Sequence, residues 1–269
     1  MQSKKLHNIY ICFPEGKHKV LTMSYDDGRE EDRYLVQLFN QYGLKSTFHV
    51  NSGLTMDHRI PLSEYKTLYT GHEVSSHTYT HPTIARCPME QVVEQIMEDR
   101  RCLEEAVGYP VRGMSYPNGS YSKEIMNLLP SLGIRYSRIV GNSDNFRMPD
   151  NYHEWKATCH HNHNLIGLGE EFIQLYKSQY LYMMYVWGHS YEFTQKNNWY
   201  VIEDFCKLVS GNNSIWFATN IQIVDYMDAA KALQFTACGD RVYNPSYQSV
   251  WVNVDGQNHE IKGGQMAIF

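Results

Sequence analysis

Val20-Leu21-Thr22-Met23-Ser24-Tyr25-Asp26-Asp27-Gly28 sets an apolar run directly against two carboxylates and a glycine. The run over Val20–Ser24 reads as a strand, and Asp-Asp-Gly reads as the turn that stops it. Farther along, Ser76-His77-Thr78-Tyr79-Thr80-His81-Pro82 follows a second short strand pattern at Glu73–Ser76. One carboxylate and two imidazoles four residues apart supply three ligands for a divalent metal, with the other carboxylate, Asp26, left free as a base. Histidines at i and i+4 are expected to project side by side from one helical turn and share that ion. This is the donor set of a metal-dependent hydrolase.

Working outward from Lys19 to about Ala230, short apolar runs alternate with amphipathic stretches, the pattern of an α/β chain. Glu30–Tyr42 reads as a helix with Leu35, Leu38 and Phe39 on one face and Gly43 as its stop. Lys45–Val50 is the next strand, and Pro88–Val107 is a helix that ends at Gly108. Helices are then expected at Tyr121–Leu132, Leu168–Tyr176, Asn198–Val209 and Ile221–Leu233, with extended segments at Ile134–Arg138, Tyr180–Trp187 and Ile215–Phe217. About seven strands alternating with helices fit a closed or nearly closed β/α barrel better than an open sheet. After Phe235 the rhythm changes to a hairpin, Val250–Val254 and Gln257–Ile261 about Asp255-Gly256. The organisation expected is therefore a domain over 1–235 and a small β appendage over 236–269 that covers a barrel end or edge.

Composition narrows the partners. A formal net charge of -5 argues against nucleic acid or anionic membrane. The 21 tyrosines and 5 tryptophans suit stacking on sugar rings as well as ordinary packing. Six cysteines without close pairs point to reduced thiols rather than a disulfide framework or a zinc ribbon. The N-terminal stretch Met1–Tyr10 has two lysines but no apolar run behind them, and no segment has the length of a membrane span. A cytoplasmic protein is the expectation.

In a barrel the C-terminal strand ends meet at one face. Asp26 and Asp27 end the first strand, His77 and His81 follow Glu73–Ser76, Asn118 follows Gly113–Tyr116, and His189 closes the run from Tyr180. Thr22-Met-Ser-Tyr-Asp-Asp-Gly28 and Ser76-His-Thr-Tyr-Thr-His-Pro82 resemble the first two motifs of the polysaccharide deacetylases, the NodB homology domain of carbohydrate esterase family 4, and the similarity covers roughly residues 19–230. The resemblance implies a distorted seven-stranded β/α barrel. It makes Asp26 the base and Asp27, His77 and His81 the ligands of one divalent metal, zinc by default, with cobalt, nickel, manganese or iron also compatible. It makes His189, in Val186-Trp-Gly-His-Ser190, the general acid, and gives the backbone N–H of Asn118 to the oxyanion. The implied reaction is removal of N- or O-linked acetyl groups from a sugar or oligosaccharide.

The chain also departs from that family. Ser115 stands where the third motif has an arginine that orients the base, and Arg112 is close but out of register. Gly188, after Trp187, replaces a leucine that walls the acetyl pocket. Asp150, Trp155 and Asp144 are the candidates for the fourth motif, which tunes the acid, and Glu192 stands three residues after His189. His160, His161 and His163 read as a loop that lines the cleft or is solvated, with a second metal site as the other reading. Two further functions stay open: hydrolysis of a small non-sugar amide, and a catalytically silent carbohydrate-binding protein on the same barrel.

Overall fold

The computed structural model describes residues 7–55 and 58–269; residues 1–6, which hold most of the stretch read above for a leader, lie outside them. The chain opens with β1 (Ile9–Cys12), β2 (Lys19–Asp26), α1 (Asp32–Tyr42), β3 (Thr47–Val50), α2 (Tyr65–Leu68) and β4 (Glu73–Ser76). It continues through α3 (Met89–Val107), β5 (Gly113–Ser115), α4 (Lys123–Leu128), β6 (Tyr136–Asn142), β7 (Trp155–Ala157) and β8 (Cys159–His160). Then come α5 (Leu165–Gln174), β9 (Tyr182–His189), α6 (Tyr191–Gln195), α7 (Trp199–Val209), β10 (Ile215–Phe217) and α8 (Asn220–Lys231). Five short strands finish it: β11 (Gln234–Phe235), β12 (Arg241–Tyr243), β13 (Val250–Val254), β14 (Gln257–Ile261) and β15 (Met266–Ile268).

The opening motif becomes the central strand. All residues of β2 are buried, as expected for a strand of a parallel sheet with neither face open to water. The sheet order is β7-β6-β5-β4-β3-β2-β9-β8, with β10 paired to the start of β2, and every one of these pairings is parallel. The segment Trp155–His160 pairs with β6 at its start and with β9 at its end, and the Thr158 N–H between them donates to the Tyr185 carbonyl at 2.8 Å. Both edges of the sheet therefore meet on one stretch of chain. The C-terminal ends of the strands gather above it.

Helices form where the sequence expects them, with local corrections. α1 buries Leu35, Val36, Leu38 and Phe39 and stops at Gly43, whose φ of 71° suits glycine. The helix expected over Tyr121–Leu132 is shorter: Ser122 caps α4, and beyond Leu128 the chain tightens into a 3-10 turn at Leu129–Leu132. Pro130 has no N–H to continue the α-helical ladder. Besides Asp26, three carboxyls are buried among the described residues. Asp32 accepts from Ser190 and Tyr69, Glu73 from Tyr136 and Thr47, and Asp99 from Ser52 and Ser76. Burial pushes them up to about 7, about 7 and about 6 respectively, against hydrogen bonds that work the other way.

At the C-terminal end β13 and β14 form the expected hairpin. β1 adds to it, pairing antiparallel with β13 from Ile9↔Val254 to Cys12↔Trp251. The Tyr226 hydroxyl on α8 donates to the Cys12 carbonyl at 2.6 Å and accepts from the Trp251 N–H at 2.9 Å, which ties this sheet to the rest. β11, β12 and β15 make a second small sheet. Among the described residues Cys12, Cys87, Cys102, Cys159 and Cys206 form no disulfide, and no helix is long and apolar enough to cross a membrane.

Candidate active site

Asp27 leaves β2 with φ of 83°, its N–H donating to the His49 carbonyl at 2.9 Å. His77 follows β4, and its N–H donates to the Val50 carbonyl at 2.9 Å. The two histidines do not share a helical turn. The chain after Ser76 is a loop in which Thr78 and His81 take φ of 65° and 59°. The Asn51 side-chain amide donates to the carbonyls of His77 and Thr78 at 2.5 and 2.8 Å, which occupies the groups a helix would use. His77 and His81 still meet, with ring centroids 4.7 Å apart.

One ligand atom each from Asp27, His77 and His81 lies within 4.8 Å of the others. His77 Nδ1 is 3.0 Å from the Ser115 carbonyl, which can only accept, so the proton sits on Nδ1 and the Nε2 lone pair is free. Burial pushes His77 down to about 4 and keeps the ring neutral. Two imidazoles and a carboxylate fit a divalent cation of zinc-like preference.

Asp26 lies beside this trio, 2% exposed. One oxygen pairs with the Arg138 guanidinium. The other accepts from the Ser115 hydroxyl at 3.3 Å and is 3.4 Å from His49 Nδ1. Burial alone would raise its pKa, but Arg138, with His77 and His49, holds it well below the usual carboxylate range. Arg112 does not reach this group; it makes a two-pronged pair with Asp225 at 2.7 and 2.8 Å. The arginine on Asp26 is Arg138, which motif reading missed. The strand register explains it, because Arg138 on β6 is the direct partner of Ser115 on β5.

A pocket of about 400 Å³ joins Asp26, Asp27, His77 and His81 to Asn118 and His189. Tyr116, Val140, Trp187 and Tyr191 complete its walls. Asn118 has φ of 55°, and the hydrogen bonds of its turn run from the Gly119 and Ser120 N–H groups, not from its own. His189 Nδ1 meets the Glu192 carboxylate at 2.8 Å. Burial disfavours the imidazolium, but Glu192, Asp26 and Asp27 outweigh it, and the ring titrates above its ordinary value.

Glu192 thus holds the acid candidate. Asp144 instead pairs with His163 at 2.9 Å at the surface, Asp150 is exposed, and Trp155 is fully buried against Tyr185. His161 is neither solvated nor cleft-lining: it is fully buried, stacked on Phe193 with centroids 4.1 Å apart. Its ring fills the space a side chain at Gly188 would need, since a Cβ there would lie 2.0 Å from its Nδ1. That accounts for glycine before His189.

Residues 14–137 match the sequence pattern of the family described as polysaccharide deacetylase. A chitooligosaccharide deacetylase of Azorhizobium caulinodans is 26% identical over 129 residues, 48% of this chain and 56% of that protein. The chain spans about half the length of the curated relatives it matches first. Among solved structures, a chain assigned as a polysaccharide deacetylase from Mycobacterium smegmatis superposes with TM-score 0.62 at 15% identity, covering 82% of this chain and 94% of that one. A carbohydrate esterase family 4 pseudoenzyme from Bacillus anthracis superposes with TM-score 0.51 at 16% identity, covering 80% and 68%. The α/β fold is shared by both.

Proposed function

We propose, on the premise that this chain belongs through residues 14–137 to the polysaccharide deacetylase family, that its site hydrolyses acetyl groups from a sugar or oligosaccharide. The fold does not decide this, since a pseudoenzyme shares it. The observation that carries the reading is the pocket that holds Asp26, Asp27, His77, His81, Asn118 and His189 together.

Asp27, His77 and His81 are the residues that would hold a divalent cation, zinc by default, and such an ion would polarise the acyl carbonyl and make water more acidic. Asp26, kept ionised by Arg138, accepts the proton of the attacking water. The Asn118 N–H, free of its own turn, donates to the oxyanion of the tetrahedral intermediate. His189, with Nδ1 fixed on Glu192, presents Nε2 to the leaving nitrogen or oxygen and gives up its proton as the C–N or C–O bond breaks. An acetylated amino sugar is the substrate class that the name of the Azorhizobium relative favours.

The test is acetate release from a panel of acetylated oligosaccharides and small amides by zinc- and cobalt-loaded protein, with Asp26→Asn as control. Release from a sugar that vanishes in the variant is the expected result. Cation bound with no release from any sugar would sink the reading, and release from small amides alone would move the function to that substrate class.

A further inference from the structure

We propose that Arg138 is a positioning residue with two separate grips, holding the base Asp26 by its charge and the pocket wall Trp187 by a guanidinium set over the indole ring. The inference rests on the reading of Asp26 as base.

Three observations lead to it. Arg138 is 1% exposed, and the carboxylate it pairs with is Asp26; its other hydrogen bond is a long one of 3.5 Å to the Ile139 carbonyl. The guanidinium carbon lies 4.4 Å from the centroid of the Trp187 ring, and Trp187 lines the pocket. Ser115, the register partner of Arg138, is a small residue whose hydroxyl touches both Asp26 and His77 Nδ1, at 3.3 and 2.7 Å.

Each grip needs a different property of arginine. A buried carboxylate needs a counter-charge fixed against it, and lysine can supply that charge. A guanidinium over an indole ring is a contact that lysine's compact ammonium reproduces poorly. The Trp187 ring also meets His160 and His189 edge-on, with centroids 4.7 and 6.0 Å apart, and makes a 3.4 Å contact from its Nε1 to Asn142. Loss of the guanidinium loosens the Trp187 ring in the pocket wall, while the base keeps its counter-charge. The two roles are therefore separable by substitution.

The experiment compares Arg138→Lys and Arg138→Gln in the cation-loaded protein, measuring bound cation, kcat and KM for acetyl release, and the ratio of acetyl to butyryl release. Arg138→Lys is expected to keep kcat within about tenfold and to lose about tenfold or more of the acetyl preference, the scale at which pocket contacts discriminate methylenes. Arg138→Gln is expected to keep the cation and lose about a hundredfold or more in kcat, the scale of a general base. In an Asp26→Asn background Arg138→Gln should cost no further activity, whereas a merely structural residue would cost the same again. If Arg138→Gln alone does not fold, the Asp26→Asn/Arg138→Gln double variant, which leaves no unpaired buried charge, is compared with Asp26→Asn. Additive losses overturn the grip on the base, and unchanged acetyl preference in Arg138→Lys overturns the grip on the wall. Absence of turnover on every substrate fails the functional reading alone. The denaturant midpoints of the parent, Asp26→Asn, Arg138→Gln and the double variant then decide whether Asp26 and Arg138 are coupled.

Discussion

Two groups of histidine and carboxylate reach the pocket, the second through His189 alone, with the same ingredients and opposite preparation. Asp27, His77 and His81 form one; His160, His189 and Glu192 form the other, also with ligand atoms within 4.8 Å of one another. In the first, Ser115 holds the Nδ1 proton of His77 and leaves Nε2 free, and the His81–Asp27 approach is 3.9 Å, too long for a hydrogen bond. In the second, the space is already filled by protons. His189 meets Glu192 at 2.8 Å, the Asn162 side chain donates to it at 2.7 Å, and His160 Nδ1 accepts from the Asn162 N–H at 3.1 Å. That last bond puts the proton of His160 on the nitrogen that faces Glu192. Ligand count does not distinguish the two groups; the direction of their hydrogens does.

The largest effect that would break this contrast concerns the cation. His77→Ala should abolish cation binding in equilibrium dialysis and lower acetyl release about a thousandfold. His160→Ala should leave cation content unchanged, and a loss there equal to that in His77→Ala would erase the distinction. Next in size, Glu192→Gln should reduce kcat by about a hundredfold through loss of the acid's partner, with cation content intact. Gly188→Ala sharpens the packing side of the comparison. A methyl driven into the His161 ring should destabilise the fold by about 1–3 kcal/mol in urea denaturation.

The smallest effect sets Asp26, which has a cation, against Asp32, Glu73 and Asp99, which have hydroxyl and amide donors instead. These three have folded-state values raised above the ordinary 3.8 and 4.5 to about 7, about 7 and about 6. The unfolded chain loses these protons first, so their contribution to stability is full below about pH 4 and is lost as pH rises toward 7. Each can remove at most about 1.4 kcal/mol per pH unit within that window. Asp26 runs the other way, because its depressed value gives stability above the ordinary carboxylate range that acid removes. Urea midpoints from pH 4 to 8 in Asp32→Asn and Glu73→Gln should fall less steeply than in the parent chain. Parallel slopes would count against the burial account.

Much of this site was legible because its chemistry sits at strand ends. The apolar run before Asp26, the short strand before His77 and the run that closes at His189 each announced their own C-terminal ends. The parallel order of the sheet then brought those ends into one pocket. What could not be read depends on relations between segments. Arg138 lies on β6 with nothing in its neighbourhood to mark it, and only its pairing with Ser115 puts it beside Asp26. The loop that carries His81 kept its ligand spacing while abandoning the helix that the spacing suggests. His161 looked solvated among histidines and asparagines, yet a glycine on the adjacent strand made room to bury it. β1 gave no sign that its partner stood at the other end of the chain.

The pairing of Ser115 with Arg138 also bears on how such sequences are sorted. A comparison that assigns one role to one alignment column will find serine where it wants arginine and count this chain among the impaired. A comparison that scores neighbouring strands together will find the charge moved sideways to the next strand, at the same level of the ladder. In a parallel sheet, what a buried carboxylate needs is an address in space, and two different columns can deliver to it.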